Sequence, residues 1–109
     1  MQDRPNYFNL TGYKGAKIEF SSGSGPLTAE RVVIIPRSAD GETRKVAVRK
    51  EIIVAGGLIH SLQILQLSGV GPRALLEPAN ISVVHELPGV GQNFHDHSWF
   101  TIAYNCKNQ

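Results

Sequence analysis

Three short stretches carry residue types that could do chemistry. His95-Asp96-His97 offers two imidazoles and a carboxylate. On a strand, His at i and i+2 would face one side, and Asp would add an oxygen, which is a partial metal set. No third strong ligand stands at a helpful spacing, so the preferred reading is a loop tied by hydrogen bonds, with no metal. "GVGPRA", Gly69 to Ala74, matches G-x-G-x-x-A by letters. The mechanism of that fingerprint needs a strand before it and a helix opening on it, so that amides and the helix dipole meet a pyrophosphate. Here the glycine follows a helical pattern, so Gly69 reads as the left-handed residue that ends a helix. "AGG", Ala55 to Gly57, does follow a strand-like run. Glycines there let a backbone approach a ligand, or simply make a tight turn; the residues leave both readings open.

The remaining reactive groups point to nothing sharper. His60 reads as a solvent-facing residue at a helix start, and Cys106 as an inert thiol accompanied by nothing basic but Lys107. No serine can be tied to a histidine and an acid as a triad. No residue of this chain is assigned to catalysis.

The elements that must position these groups follow from the patterning. Tyr7 to Leu10, Ala16 to Phe20, Glu30 to Pro36 and Arg44 to Arg49 read as short strands, with a break at Lys14-Gly15. Asp40-Gly41 is a hairpin signal between the last two. Residues 7–49 therefore predict an antiparallel meander. The pattern changes at Lys50. "EIIVAGG", 51 to 57, is a continuous apolar run closing on glycines, as in a strand buried on both faces of a parallel sheet. Leu62 and Leu65 then predict a helix over 61–68 with Ser61 as its N-cap. A short helix, "PRALLEPA", a strand at Ile81 to Leu87, the loop "PGVGQN" and a strand at Trp99 to Tyr104 complete the chain. In domain terms, 7–49 is the meander, 50–87 a strand–helix–strand unit, and 88–109 a link onward.

Composition bounds the class. The chain has 109 residues, 41% hydrophobic and 18% charged, which is globular and of single-domain size. Net charge is +2, with scattered Lys and Arg and no basic stripe, so nucleic acid is not a partner. No apolar run approaches the ~20 residues of a membrane span, and the N-terminus shows no signal-peptide pattern. The sequons at Asn9 and Asn80 are weakly compatible with a secreted parent; the localisation stays open. A single cysteine leaves no internal disulfide.

Taken together, three blocks carry a resemblance. "RKEIIVAGGLIHSLQILQLSGVGP" resembles the second signature of the glucose-methanol-choline (GMC) oxidoreductases, flavin enzymes that oxidise alcohols. "ELPGVGQNFHDH", 86 to 97, is similar to the family's Leu-Pro-Gly-Val-Gly segment, and "RPNYFNLTG", 4 to 12, to the entry into this region. Within the family the likeness is to the aryl-alcohol oxidase and glucose dehydrogenase type. Leu62 stands where the family usually has Pro, Gly56-Gly57-Leu58 where it has an Ala-Gly-Ala turn, and Gly15 where it has an apolar residue, often Val.

The resemblance implies an internal slice of an FAD-binding Rossmann-like domain: α/β in class, an α+β fragment made of the antiparallel meander and a strand–turn–helix unit. It implies FAD as cofactor and an alcohol as substrate of the complete enzyme. The backbone of Gly15 takes the position that contacts adenine, and Ala55, Gly56 and Gly57 line the same side. Asn93, Asp96 and His97 fall on structural polar positions. The fingerprint that holds the pyrophosphate and the catalytic histidine have no counterpart in these residues. A non-enzymatic remnant that binds a partner is the alternative. Exposed sheet edges make self-association a further expectation.

Overall fold

The computed structural model describes residues 4–104. Cys106 and Lys107 lie outside the described residues. Three strands form the meander: β1 (Tyr13–Phe20), β2 (Ala29–Pro36) and β3 (Arg44–Ala47). They pair antiparallel in the order β1-β2-β3. The ladder runs from Tyr13↔Pro36 to Phe20↔Ala29, then Arg31↔Ala47 to Ile34↔Arg44. β-branched residues at 32–35 favour the extended backbone of the central strand. A register shift between Gly15 and Lys17 bulges β1 where the sequence breaks its alternation. The mixed helix–strand class and the meander agree with expectation. Tyr7–Leu10, expected as a fourth strand, is irregular and exposed. Gly15, expected as a break, lies inside β1.

Helix α1 (Gly57–Leu67) follows, and packs on β1. It starts four residues before the expected N-terminus, with Gly56 rather than Ser61 as the cap. Leu58 continues the Leu62–Leu65 spacing one turn earlier, so the apolar period extends to the glycines. Ser68 ends the helix and Gly69 follows at φ +81°. Its N–H donates to Gln66 O at 2.9 Å, closing the last turn as a left-handed glycine does. The chain then forms β4 (Val70–Gly71), the short helix α2 (Arg73–Leu76) and β5 (His85–Glu86), which pairs parallel with β4.

Three further expected strands need correction. Residues 51–55 form no strand: no backbone–backbone hydrogen bond ties them to any described residue. Their apolar run specifies burial on both faces, and a ladder needs neighbours that the described residues do not supply. Ile53 is accordingly 80% exposed. The strand expected over 81–87 shrinks to His85–Glu86, because β4 offers only two residues to pair with. Trp99–Tyr104 forms no strand and is exposed.

The core is small: Ile18, Val33 and Ile34 in the sheet, and Val70, Leu76 and Val90 around the β4–β5 pair. Among the described residues Leu76 is the one fully buried large side chain, worth about 1.5–3 kcal/mol of apolar burial. The radius of gyration is 19.7 Å, against about 13 Å for a compact domain near this length. Large apolar side chains such as Phe8, Ile53, Trp99 and Phe100 remain open.

Candidate functional site

The candidate cofactor residues fall at two places along α1. Gly15 sits on β1 at the bulge, exposed, and a Cβ built there would lie 3.7 Å from Ile64 Cδ1. It therefore rests on the second half of α1 without filling any space of its own. Because β1 is an edge strand, one side of its backbone has no strand neighbour. Ala55, Gly56 and Gly57 form the turn that enters α1. Gly56 is the cap residue at φ −79°, and Gly57 lies at φ +78°. A Cβ on Gly57 would meet nothing within 4 Å. One helix thus carries both candidates. Ile64 follows Gly57 by seven residues, about 10 Å along the axis at ~1.5 Å per residue.

The electrostatics of this entry are plain. The cap is made by no side chain, and the first turn holds no acidic residue. The first amides of α1 and the positive end of its dipole are thus left without an internal counter-charge. His60, in that turn, is exposed as expected.

The second glycine pair is built differently. A Cβ on Gly69 would stand 2.4 Å from Ser82 O and 2.7 Å from Val84 Cγ2. The Gly69 carbonyl accepts from the Val84 and His85 N–H groups at 2.8 and 3.1 Å, and Gly71 O from Leu87 N–H at 3.1 Å. "GVGPRA" is therefore occupied by its own chain: it is a packing device, with no cradle for phosphate.

His95-Asp96-His97 lies in an exposed segment. His95 Nδ1 lies 2.7 Å from Asn93 O, and the His97 N–H donates to Asp96 Oδ1 at 2.7 Å. Asn93 takes φ 55°, a turn conformation that Asn tolerates. Among the described residues no three His, Cys, Asp or Glu side chains converge as a metal set.

Sequence reasoning missed Ser68 as an individual residue, reading it only as part of Ser-Gly-Val-Gly-Pro. It is 5% exposed, the one buried polar residue among those described. Its Oγ accepts the Ile18 N–H of β1 at 2.7 Å and donates to the Ile64 carbonyl. A serine one turn after Ile64 could have been read as bonding back to the i−4 carbonyl; its reach across to β1 left no local trace. Two titratable groups among the described residues are shifted, the half-buried Glu19 and the exposed Arg73. The Lys45 ammonium, hydrogen-bonded to Glu19 at 2.7 Å, holds that carboxyl below its usual range, helped by Arg31 and Lys17. Hydrogen bonds to Glu77 and Glu86 raise the Arg73 guanidinium.

Comparison with known proteins places this arrangement. The family model described as GMC oxidoreductase matches residues 4–99. Oxygen-dependent choline dehydrogenase of Pseudomonas putida is 57% identical over 68 residues, covering 62% of this chain and 12% of that protein. Dehydrogenase xptC of Emericella nidulans is 42% identical over 101 residues, covering 93% of this chain and 15% of that protein. An FAD-dependent oxidoreductase from Chaetomium thermophilum, solved in complex with a small-molecule fragment, superimposes with a TM-score of 0.75 at 43% identity. That likeness covers 84% of this chain and 15% of the solved one. The chain belongs to the GMC oxidoreductase family. It spans 12 to 15% of the length of these relatives.

Proposed function

We propose that this chain is the adenine-side edge of a flavin-binding domain in an FAD-dependent oxidoreductase acting on the CH–OH group of alcohols. The observation that carries the reading is the open Gly57. It adopts a backbone that favours glycine at the mouth of a helix, yet among the described residues no atom lies within 4 Å of where its side chain would begin. A left-handed glycine that packs against nothing of its own chain suits the close approach of a ligand. The residues present fit the group: Gly15 offers edge-strand backbone, Ala55–Gly57 an unobstructed turn, and α1 a first turn without an internal counter-charge.

Bound flavin supplies the hydride acceptor. The work of this chain is binding and orientation. The N–H and C=O of Gly15 recognise the adenine edge by hydrogen bonds that need no side chain. Ala55, Gly56 and Gly57 line the same side. None of His60, His85, His95 or His97 is assigned a proton-transfer role: all four are exposed. The alcohol proton is left to a base outside these residues. Choline and glucose appear in the names of relatives, and a small alcohol is the substrate class we assign.

The test is flavin content. In a family-length polypeptide carrying this segment, Gly57→Val places a branched side chain in the open space and lowers flavin per chain; unchanged occupancy rejects the assignment. The 109 residues alone, given FAD and a panel of alcohols, give no turnover above the free-flavin background. A second reading, a non-catalytic chain that associates through its edges, is favoured by the unpaired 51–55 run and the open apolar side chains. Sedimentation of the isolated chain as a concentration-dependent oligomer supports it, and a monomer rejects it.

A further inference from the structure

Among the contacts by which the meander packs on α1, two lie on one face of the helix under the strand that carries Gly15. Ile64 lies beneath Gly15, and Ser68, one turn further on, takes the Ile18 N–H. Residues four apart stack on the same helix face, and Ser68 Oγ also bonds the Ile64 carbonyl. Ser68 thus joins strand and helix across 50 residues of sequence. Gly15 cannot anchor itself: it has no side chain, it borders a bulge, and it lies on an edge strand. From its position to the end of β1, the one buried hydrogen bond from the strand to the helix is made by Ser68.

We infer that Ser68 is a positioning residue for the cofactor's adenine end: its hydroxyl fixes the height and register of β1 on α1, and so the place of the Gly15 backbone. The inference rests on the reading of Gly15 given above. Its consequence is selective. Loss of the hydroxyl leaves the Ile18 N–H unsatisfied in a buried place and lets β1 shift along the helix, while the α1 entry at Gly57, about three turns from Ser68, keeps its geometry.

The experiment uses a family-length flavoprotein carrying this segment, stripped of flavin, with Ser68→Ala, Ser68→Thr and Leu76→Ala variants. Leu76→Ala is the control, since it opens the other part of the core. Binding of ADP, which bears the adenine end, and of riboflavin, which lacks it, is measured by calorimetry at a temperature where every variant is folded. Ser68→Ala weakens ADP about tenfold, a loss of about 1.4 kcal/mol in binding, because β1 no longer holds the Gly15 backbone in register, and leaves riboflavin unchanged. Ser68→Thr, which keeps the hydroxyl, restores ADP binding, and Leu76→Ala changes neither ligand. Should Ser68→Thr fail to fold, amide exchange decides instead: Ile18 exchanges faster in Ser68→Ala, and ADP protects Gly15 less than in the unsubstituted protein. Equal weakening of ADP and riboflavin, or full ADP affinity in folded Ser68→Ala, overturns the inference. If ADP fails to protect the Gly15 amide even without substitution, the reading of Gly15 falls and the role of Ser68 falls with it. If ADP protects Gly15 but Ser68→Ala binds normally, only the role of Ser68 is lost.

Discussion

The two ends of α1 carry glycines in nearly the same backbone state, φ +78° at Gly57 and +81° at Gly69, and they are opposites in every other respect. Gly69 is buried, its missing side chain replaced by the Ser82 carbonyl and the Val84 methyl, and its own carbonyl bonds two amides of the same loop. Gly57 is exposed and faces empty space. A left-handed glycine can serve a turn that protein atoms crowd, an open turn such as that at Gly12 (φ +79°), or a backbone that a ligand approaches. In the Gly-x-Gly letters at 69–71 the first holds, so letters that spell a nucleotide loop spell a helix stop. At the plain Gly-Gly pair, 56–57, no described atom lies within 4 Å of where a Gly57 side chain would stand, which leaves room for a ligand's approach. The surroundings, and not the dihedral angle, distinguish the two ends.

The largest effect that would test the contrast lies at Gly69. A side chain there meets the left-handed penalty of about 1–2 kcal/mol and a clash with backbone, which cannot rotate away. Forcing the loop aside also breaks the Val84 and His85 bonds. Gly69→Ala is expected to cost about 3 kcal/mol or more, seen as a collapse of folded yield or of the denaturant midpoint. A variant as stable as the parent would show that Gly69 is not held by 82–84.

Gly57→Ala is expected to fall well below that. The conformational penalty is the same, about 1–2 kcal/mol, but no contact is violated. Its stability loss and its flavin loss should separate: a small shift in midpoint and a larger fall in flavin retention. A stability loss equal to that of Gly69→Ala would erase the distinction between the two ends.

How far the sequence tells these ends apart is instructive. The meander was legible because alternation and turn residues are local signals, and Gly69 was legible because a helical pattern precedes it. The start of α1 was misplaced because Ser61 is a good cap by type, whereas the helix is capped by no side chain at all. Residues 51–55 read as a strand because side chains advertise burial, but a strand exists only when a neighbour accepts its hydrogen bonds. The two-residue pair of β4 and β5 is too short to alternate, so no pattern announces it. Ser68 was hidden for the same reason: its partner Ile18 stands 50 residues away. Gly15 could be named only through a resemblance, since a backbone contact leaves no side-chain signature.

The smallest effect concerns the face of the meander beside the strand that Ser68 holds. Glu19, on β1, bonds Lys45 of β3 at 2.7 Å and lies 3.6 Å from Arg31 of β2, so one carboxylate ties all three strands. Its folded pKa is depressed below the ordinary 4.5, first by the Lys45 hydrogen bond and then by the charges of Lys45, Arg31 and Lys17. A depressed carboxylate stabilises the fold above its unfolded value and loses that contribution as pH falls through the folded one. Unfolding midpoints measured from pH 7 downward should therefore decline below about pH 4.5, and Glu19→Gln should flatten that part of the curve. Because the pair is solvent-exposed, high salt should shrink the difference between the two proteins. Lys45→Met should reproduce most of the flattening, since Lys45 is the leading cause of the shift. If Glu19→Gln leaves the acid limb as steep as before, the sheet is held by its ladder and by Ser68 alone, and the carboxylate is an ornament of the surface.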